Sequence, residues 1–276
     1  SLVLLQDATE GWIAGLQLAA LSLQQRKDVQ GLLAGQGDSQ RYILDYLVDE
    51  VLSQLPTDTQ QFLLETALLE PLNGPLCDAV TGRQGGAARL AALQRANLFL
   101  VPLDEEHHWY RYHHLFAESL RTRLEQTAPQ QLPELHRRAA AWYAGEGLYD
   151  EALRHTVLLQ DPGLTARLVE DGFPALLSQG RIATMIRWLG LLSENEIRTH
   201  PRLLLMAARA FALSGQLSQA EQYCRWVEES TPEINQTTLG QVSAIRATIA
   251  VLQGNAQAAI LQATRALDLL PAEDAS

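Results

Sequence analysis

Five of the seven histidines fall between His107 and His136, and two pairs are adjacent, His107-His108 and His113-His114. Imidazole is the commonest metal ligand and titrates nearest to neutrality, so this cluster is the first place to look for chemistry. A metal site fits it poorly. Adjacent residues on a strand point to opposite faces, and no carboxylate or thiol at ligand spacing completes a set. His107 and His108 read as exposed residues of a wing. His113 and His114 stand where a strand gives way to a helix, and a helix start offers unpaired N–H groups and positive potential to an anion. A phosphate-bearing partner suits such a junction.

Other candidate chemistry is weaker. Glu65 and Glu70, Asp104 to Glu106, and Asp150-Glu151 could be paired for acid–base work. None has an apolar pocket or a partner to tune it, so they read as solvated helix ends and turns. No G-x-S-x-G nucleophile elbow occurs, and no catalytic residue is expected. Of the 21 basic residues only Lys27 is a lysine, and it sits in Gln-Gln-Arg-Lys-Asp-Val. The G-x-x-x-x-G-K-[ST] phosphate loop is therefore absent. With 32 acidic residues the net charge is −11, which argues against a broad phosphate-facing surface for nucleic acid. Cys77 and Cys224 lie far apart without Cys or His neighbours, which suits a reducing cytoplasm and gives neither zinc site nor disulfide framework. No apolar run approaches the ~18 residues of a membrane span, and no signal peptide is evident. The chain opens Ser1-Leu2-Val3-Leu4-Leu5 without methionine, and we expect it to be a piece of something longer.

The elements that must position these residues are mainly α. Apolar residues recur at three- and four-residue steps, as in Leu44, Leu47, Val48, Val51, Leu52 and Leu55, or in Leu203, Ala207, Ala210 and Leu213. Pro56 with Thr57 and Asp58 starts a helix, an Asp or Thr cap leading into Phe62, Leu63, Ala67 and Leu68. Gly74-Pro75 and Gly85-Gly86 break the chain. Leu98 to Leu103 has strand composition, Asp104-Glu105-Glu106-His107 is a polar turn, and Trp109 to Tyr112 alternates as a second strand. Helical periodicity resumes at Leu115 and Phe116. Helices, a small hairpin and another helix point to a winged helix over residues 56–126. Trp142-Tyr143, Trp188 and Trp226 fall at helical spacings and read as core.

The second half repeats. Gly147, Gly180, Gly215 and Gly254 are 33, 35 and 39 residues apart. Each has Ala or Met five positions later (Ala152, Met185, Ala220, Ala259) and an apolar residue three before (Ala144, Leu177, Ala212, Val251). A helix ending at each glycine, a tight turn and a second helix packed through its alanine account for this, and a period of ~34 matches tetratricopeptide-like helix pairs.

Asn97-Leu98-Phe99-Leu100-Val101-Pro102-Leu103-Asp104, followed by Trp109-Tyr110-Arg111-Tyr112-His113-His114-Leu115-Phe116-Ala117-Glu118, resembles the winged-helix segment of MalT-type regulators. These are large ATP-binding transcription factors of the LuxR family, within the signal-transducing STAND class of NTPases. Glu10-Gly11-Trp12-Ile13-Ala14-Gly15-Leu16-Gln17-Leu18-Ala19 is similar to their motif in the helical lid behind the nucleotide domain. Ala141-Trp142-Tyr143 with Gly147, Ala152 and His155 resembles the start of their helical sensor. The resemblance spans essentially the whole chain. It implies the C-terminal part of the lid over 1–55, the winged helix over 56–126, an arm and first repeat over 127–175, and a truncated tetratricopeptide-like α-superhelix as sensor over 176–276.

The resemblance also implies roles. Gly15-Leu16-Gln17-Leu18 resembles the Gly-Leu-Pro-Leu motif of related switch ATPases, which borders the adenine, with Gln17 in the place of the proline. Tyr112-His113-His114-Leu115 resembles their Met-His-Asp motif, whose histidine holds the β-phosphate of ADP and stabilises the closed state. That role falls to His113, with His114 as the fallback. ATP or ADP is thus expected in a full-length parent with slow ATPase activity, and none on this stretch alone. The implied partners are an upstream P-loop domain and a downstream helix-turn-helix of the same chain, an inducer (small molecule or protein) on the sensor, and further copies through self-association. Neither direct nucleic-acid contact nor a membrane is implied. The alternative is a free-standing tetratricopeptide-like adaptor that binds a protein or peptide and never meets a nucleotide.

Overall fold

The computed structural model describes Val48 and residues 52–96, 98–230 and 235–270; Gly15, Leu16 and Gln17 lie outside the described residues. The chain divides into two compact units, Ser1–Trp142 and Tyr143–Ser276.

In the described part of the first unit, the helical residues Val48 and 52–54 precede α1 (Thr57–Thr66), α2 (Gly74–Thr81) and α3 (Gly86–Arg95). Pro56 occupies the N-cap of α1 without a side-chain cap bond, so the expected Thr or Asp cap is not formed. Asp58 instead lies in the first turn, where Arg89 reaches it at 2.5 Å. Gly74-Pro75 opens α2 rather than merely interrupting the chain. Asn73 accepts from the Leu76 N–H at 2.8 Å, and proline in the first turn forfeits no helical bond.

A two-stranded antiparallel hairpin follows, β1 (Leu100–Pro102) with β2 (Tyr110–Tyr112), pairing Leu100 with Tyr112 and Pro102 with Tyr110. Both strands are shorter than their sequence pattern. Phe99 has φ +58, which ends the extended run and turns its ring onto Phe116, stacked at 3.9 Å. Leu72 adds a one-residue bridge to Tyr110, exchanging N–H···O bonds of 2.9 and 2.8 Å. Helix α4 (His114–Thr127) leaves the hairpin directly, and α5 (Leu132–Gly145) follows a short 3-10 turn, Pro129–Gln131. Leu63, Leu72, Leu76, Leu90 and Leu120 are fully buried at the centre. This is a winged helix. Glu65, expected to be solvated, is instead buried, accepting from Gln61 at 2.9 Å and pairing with Arg83.

The second unit is a series of helix pairs. The end of α5 meets α6 (Tyr149–Leu158), α7 (Pro162–Ser178) meets α8 (Ile182–Leu189), and the short α9 (Glu194–Arg198) leads on. Then α10 (Pro201–Leu213) meets α11 (Leu217–Ser230), and α12 (Gln236–Leu252) meets α13 (Ala256–Leu269). The four repeat glycines carry φ of +74, +66, +80 and +73. At each, the glycine N–H bonds the carbonyl three residues back, and the next N–H bonds the carbonyl five back: Gly215 to Ala212 at 3.1 Å and Gln216 to Phe211 at 2.9 Å, for example. This double bond pattern is the Schellman helix ending, whose left-handed residue is usually glycine. The residues that follow it are buried as expected: Ala152, Met185 and Ala220 at 0% exposure and Ala259 at 9%. Burial is less regular at the apolar residue three before the glycine, where Ala212 is 1% exposed. Val251 is 65% exposed, and what the four positions share is a backbone carbonyl. The repeated buried position lies one residue earlier, at Tyr143, Leu176, Phe211 and Ala250.

Side chains tie the helices further. Asp150, expected at a solvated helix end, accepts from the Trp188 indole N–H at 2.6 Å and from Arg187 at 2.7 Å, joining α6 to α8. Arg246 of α12 holds both Glu221 and Glu228 of α11, at 2.9 and 2.6 Å.

A side chain at position 215 would meet no heavy atom within 4 Å, so the requirement there is conformational. Gly215→Ala should lower unfolding stability by about 1–2 kcal/mol, the cost of a left-handed residue bearing Cβ. Urea denaturation of the wild-type and variant chains reads this, and an unchanged midpoint would show that the turn does not need glycine.

Candidate functional site

The junction of β2 and α4 is built from its neighbours inward. Tyr112, the last residue of β2, is 3% exposed, and its hydroxyl lies 2.7 Å from Thr66 Oγ1 of α1. Burial pushes this phenol's pKa up, so it stays a neutral hydrogen-bonding group. The Tyr112 ring packs edge-on against Phe116 at 5.9 Å, and Phe116 is itself stacked on Phe99. One end of the hairpin is thus locked onto the first turn of α4 by three aromatic rings. The backbone closes the same corner: the His113 N–H donates to the Phe99 carbonyl at 2.7 Å, and the His113 carbonyl accepts from Ala117 at 2.9 Å.

His113 is the N-cap of α4, with φ −57 and ψ 133 and no side-chain cap bond, and no acidic residue lies in the first turn. His114 is the first helical residue. The two rings lie side by side, centroids 4.7 Å apart and tilted by 30°. Their closeness departs from the opposite-face rule, because His113 has already left the strand. His113 is half-buried and His114 exposed. Two imidazoles therefore flank the N–H groups and positive end of a helix that carries no carboxylate of its own there. The arrangement can receive an anion.

The remaining histidines do not join them. His107 and His108 are exposed at the wing, where His108 lies 3.2 Å from Glu106. His136 sits on α5, and burial holds its pKa below the ordinary value. Among the described residues no group of three or more His, Cys, Asp or Glu could hold a metal ion. Cys77 and Cys224 are buried free thiols, and burial pushes Cys224 up to about 12. Sequence reasoning missed the support for the junction: Thr66 and the left-handed Phe99 carry no local pattern.

Two arginines at α2 and α3 are held in internal ion pairs. Arg89 of α3 pairs with Asp58, and Arg83, in the turn, pairs with Glu65. No helix among the described residues is long and apolar enough to cross a membrane.

A winged helix whose hairpin delivers paired imidazoles to a helix start, followed by stacked helix pairs, defines the class. The match to known proteins is specific. Residues 48–132 match the MalT winged helix domain family. Over 268 residues the chain is 32% identical to the HTH-type transcriptional regulator MalT of Cronobacter sakazakii (strain ATCC BAA-894). The alignment covers 96% of this chain and 30% of that protein's length. The chain is MalT-like, and its winged helix is of the MalT type.

Tyr112→Phe should cost about 1 kcal/mol of stability, the net worth of a buried hydrogen bond whose partner keeps another acceptor. Thr66 retains its 2.7 Å bond to the Phe62 carbonyl. Chemical denaturation of the chain tests this; a loss of several kcal/mol would mean that the hydroxyl holds more than Thr66.

Proposed function

We propose that this chain is the central regulatory part of an ATP-dependent transcription regulator of the LuxR family, coupling nucleotide state and inducer binding to self-association. The observation that carries the reading is the His113-His114 pair at an α4 start without acidic residue or side-chain cap. Support comes from the 32% identical relative, an HTH-type transcriptional regulator.

The residues present fit a nucleoside diphosphate, since both rings can donate hydrogen bonds beside the N–H groups of a helix start. His113 would hold the β-phosphate of ADP, with His114 as the fallback. A diphosphate would supply negative charge and acceptor oxygens there. The aromatic lock of Tyr112, Phe116 and Phe99 fixes where the imidazoles stand, so that a closed arrangement is held by a preset donor group. The helix pairs receive the inducer, which must bind the open state preferentially to shift the population. The ion-paired Arg83 and Arg89 suit a regulatory winged helix without nucleic-acid contact. We place the regulator in the cytoplasm, with its P-loop domain and DNA-reading helix-turn-helix elsewhere in the parent.

The test uses the full-length parent. His113→Ala should raise inducer-independent reporter activity and lower the ADP that copurifies with the protein, with His114→Ala weaker in both. Unchanged basal activity and nucleotide content in both variants would overturn the assignment. A wild-type parent that carries no nucleotide at all would favour the adaptor reading.

A further inference from the structure

The second unit contains a groove of about 270 Å³ between α7, α10 and α12, the first helices of three successive pairs. At ~30 Å³ per liquid water, it has room for a small molecule. Its floor is apolar: Phe173 and Leu177 of α7 face it from one side, and Ile245 of α12 from the other. Helix α10 lies between them and contributes four residues at the spacing of one helical stripe, Arg202, Leu205, Met206 and Arg209.

The two guanidiniums differ. Arg202 lies 4.0 Å from Glu170, so its charge is partly answered. No carboxylate pairs with Arg209 among the described residues, and no acidic residue lines the groove. Gln241 of α12 is the remaining polar lining group and can donate an amide hydrogen bond. In a chain of net charge −11, an apolar groove bearing two cations and no anion is a local reversal of sign. Such a surface attracts anions.

We infer that this groove binds a small amphipathic carboxylate. Arg209 grips the carboxylate through two parallel N–H···O bonds, the geometry for which guanidinium is suited. Leu205 and Met206, one turn away on the same stripe, cover the apolar body, and methionine's flexible thioether adapts to its shape. Phosphate or sulfate would satisfy Arg209 but leave the apolar walls in contact with water. A neutral apolar ligand would fill the walls but leave the guanidinium unpaired. Only a molecule with both parts matches both. The inference deepens the reading of the helix pairs as an inducer sensor by naming the chemical class of the ligand.

The test measures binding of octanoate, octanamide and inorganic phosphate to the 276-residue chain by calorimetry or ligand-observed NMR. Octanoate should bind at least about tenfold more tightly than either of the others, the worth of a charge-assisted pair. Arg209→Gln should abolish the preference of octanoate over octanamide. Met206→Glu, which places a like charge in the apolar wall, should abolish octanoate binding; circular dichroism checks that both variants stay folded. Equal binding of octanoate and octanamide, phosphate binding as tight as octanoate, no binding, or octanoate binding unchanged in both variants would each overturn the inference. Binding is read on the chain itself, so failure here leaves the His113 reading standing, and unchanged basal activity in His113→Ala leaves this one standing.

Discussion

A helix can end inside a packed array only if its last carbonyls find donors. The second unit meets that constraint the same way four times, with a left-handed glycine and paired bonds back to the carbonyls three and five residues earlier. Much else follows from this ending. It reverses the chain within two residues, so the next helix starts beside the one just finished. A buried Ala or Met five residues on then meets the preceding helix, and the small side chain, alanine in three of four cases, permits close approach. The faces of the first helices that are not used against their partners remain available. The groove of Phe173, Arg209 and Ile245 is made of such faces.

In the first unit the corresponding constraint is that a three-pair hairpin cannot hold itself. Isolated two-stranded ribbons are marginal in water, and this one has only the pairs from Leu100–Tyr112 to Pro102–Tyr110. Its stability is borrowed from the core: Leu72 extends the ladder by one residue, and Phe99 and Tyr112 insert their rings against Phe116. The same contacts determine where His113 stands. Fold and candidate site are thus two consequences of one aromatic cluster.

What was legible in the sequence is what depends on near neighbours. The glycine turns could be read because a left-handed residue restricts the residue type and the restriction recurs at a near-constant period. The hairpin could be read because aromatic and β-branched residues flank an acidic turn. Contacts between distant residues left no such trace. Glu65 reads as exposed because Arg83, which pairs with it, is 18 positions away. Asp150 reads as a helix end because Trp188 is 38 positions away. Leu72 makes a strand too short to show any alternation. The histidine pair was half legible: its place at a helix start was evident, but the approach of the rings depends on the backbone turning between residues 113 and 114.

Magnitudes separate the parts that the two candidate sites can play. An anion at an exposed helix start gains ~0.3–1 kcal/mol from the helix, and a charge-assisted bond from an imidazole adds ~1.5–3 kcal/mol. Together these fall well short of the roughly 8 kcal/mol of a micromolar complex. On the proposed reading, the junction of His113 and α4 would therefore be too weak to capture a nucleotide by itself, and strong enough to bias an equilibrium between two states that differ by a few kcal/mol. Such a bias operates only if His113 is held where the anion will be, since an imidazole free to move would lose much of that gain in ordering itself. The stacked Phe99 and Phe116 and the buried Tyr112 would supply that fixity to the proposed site.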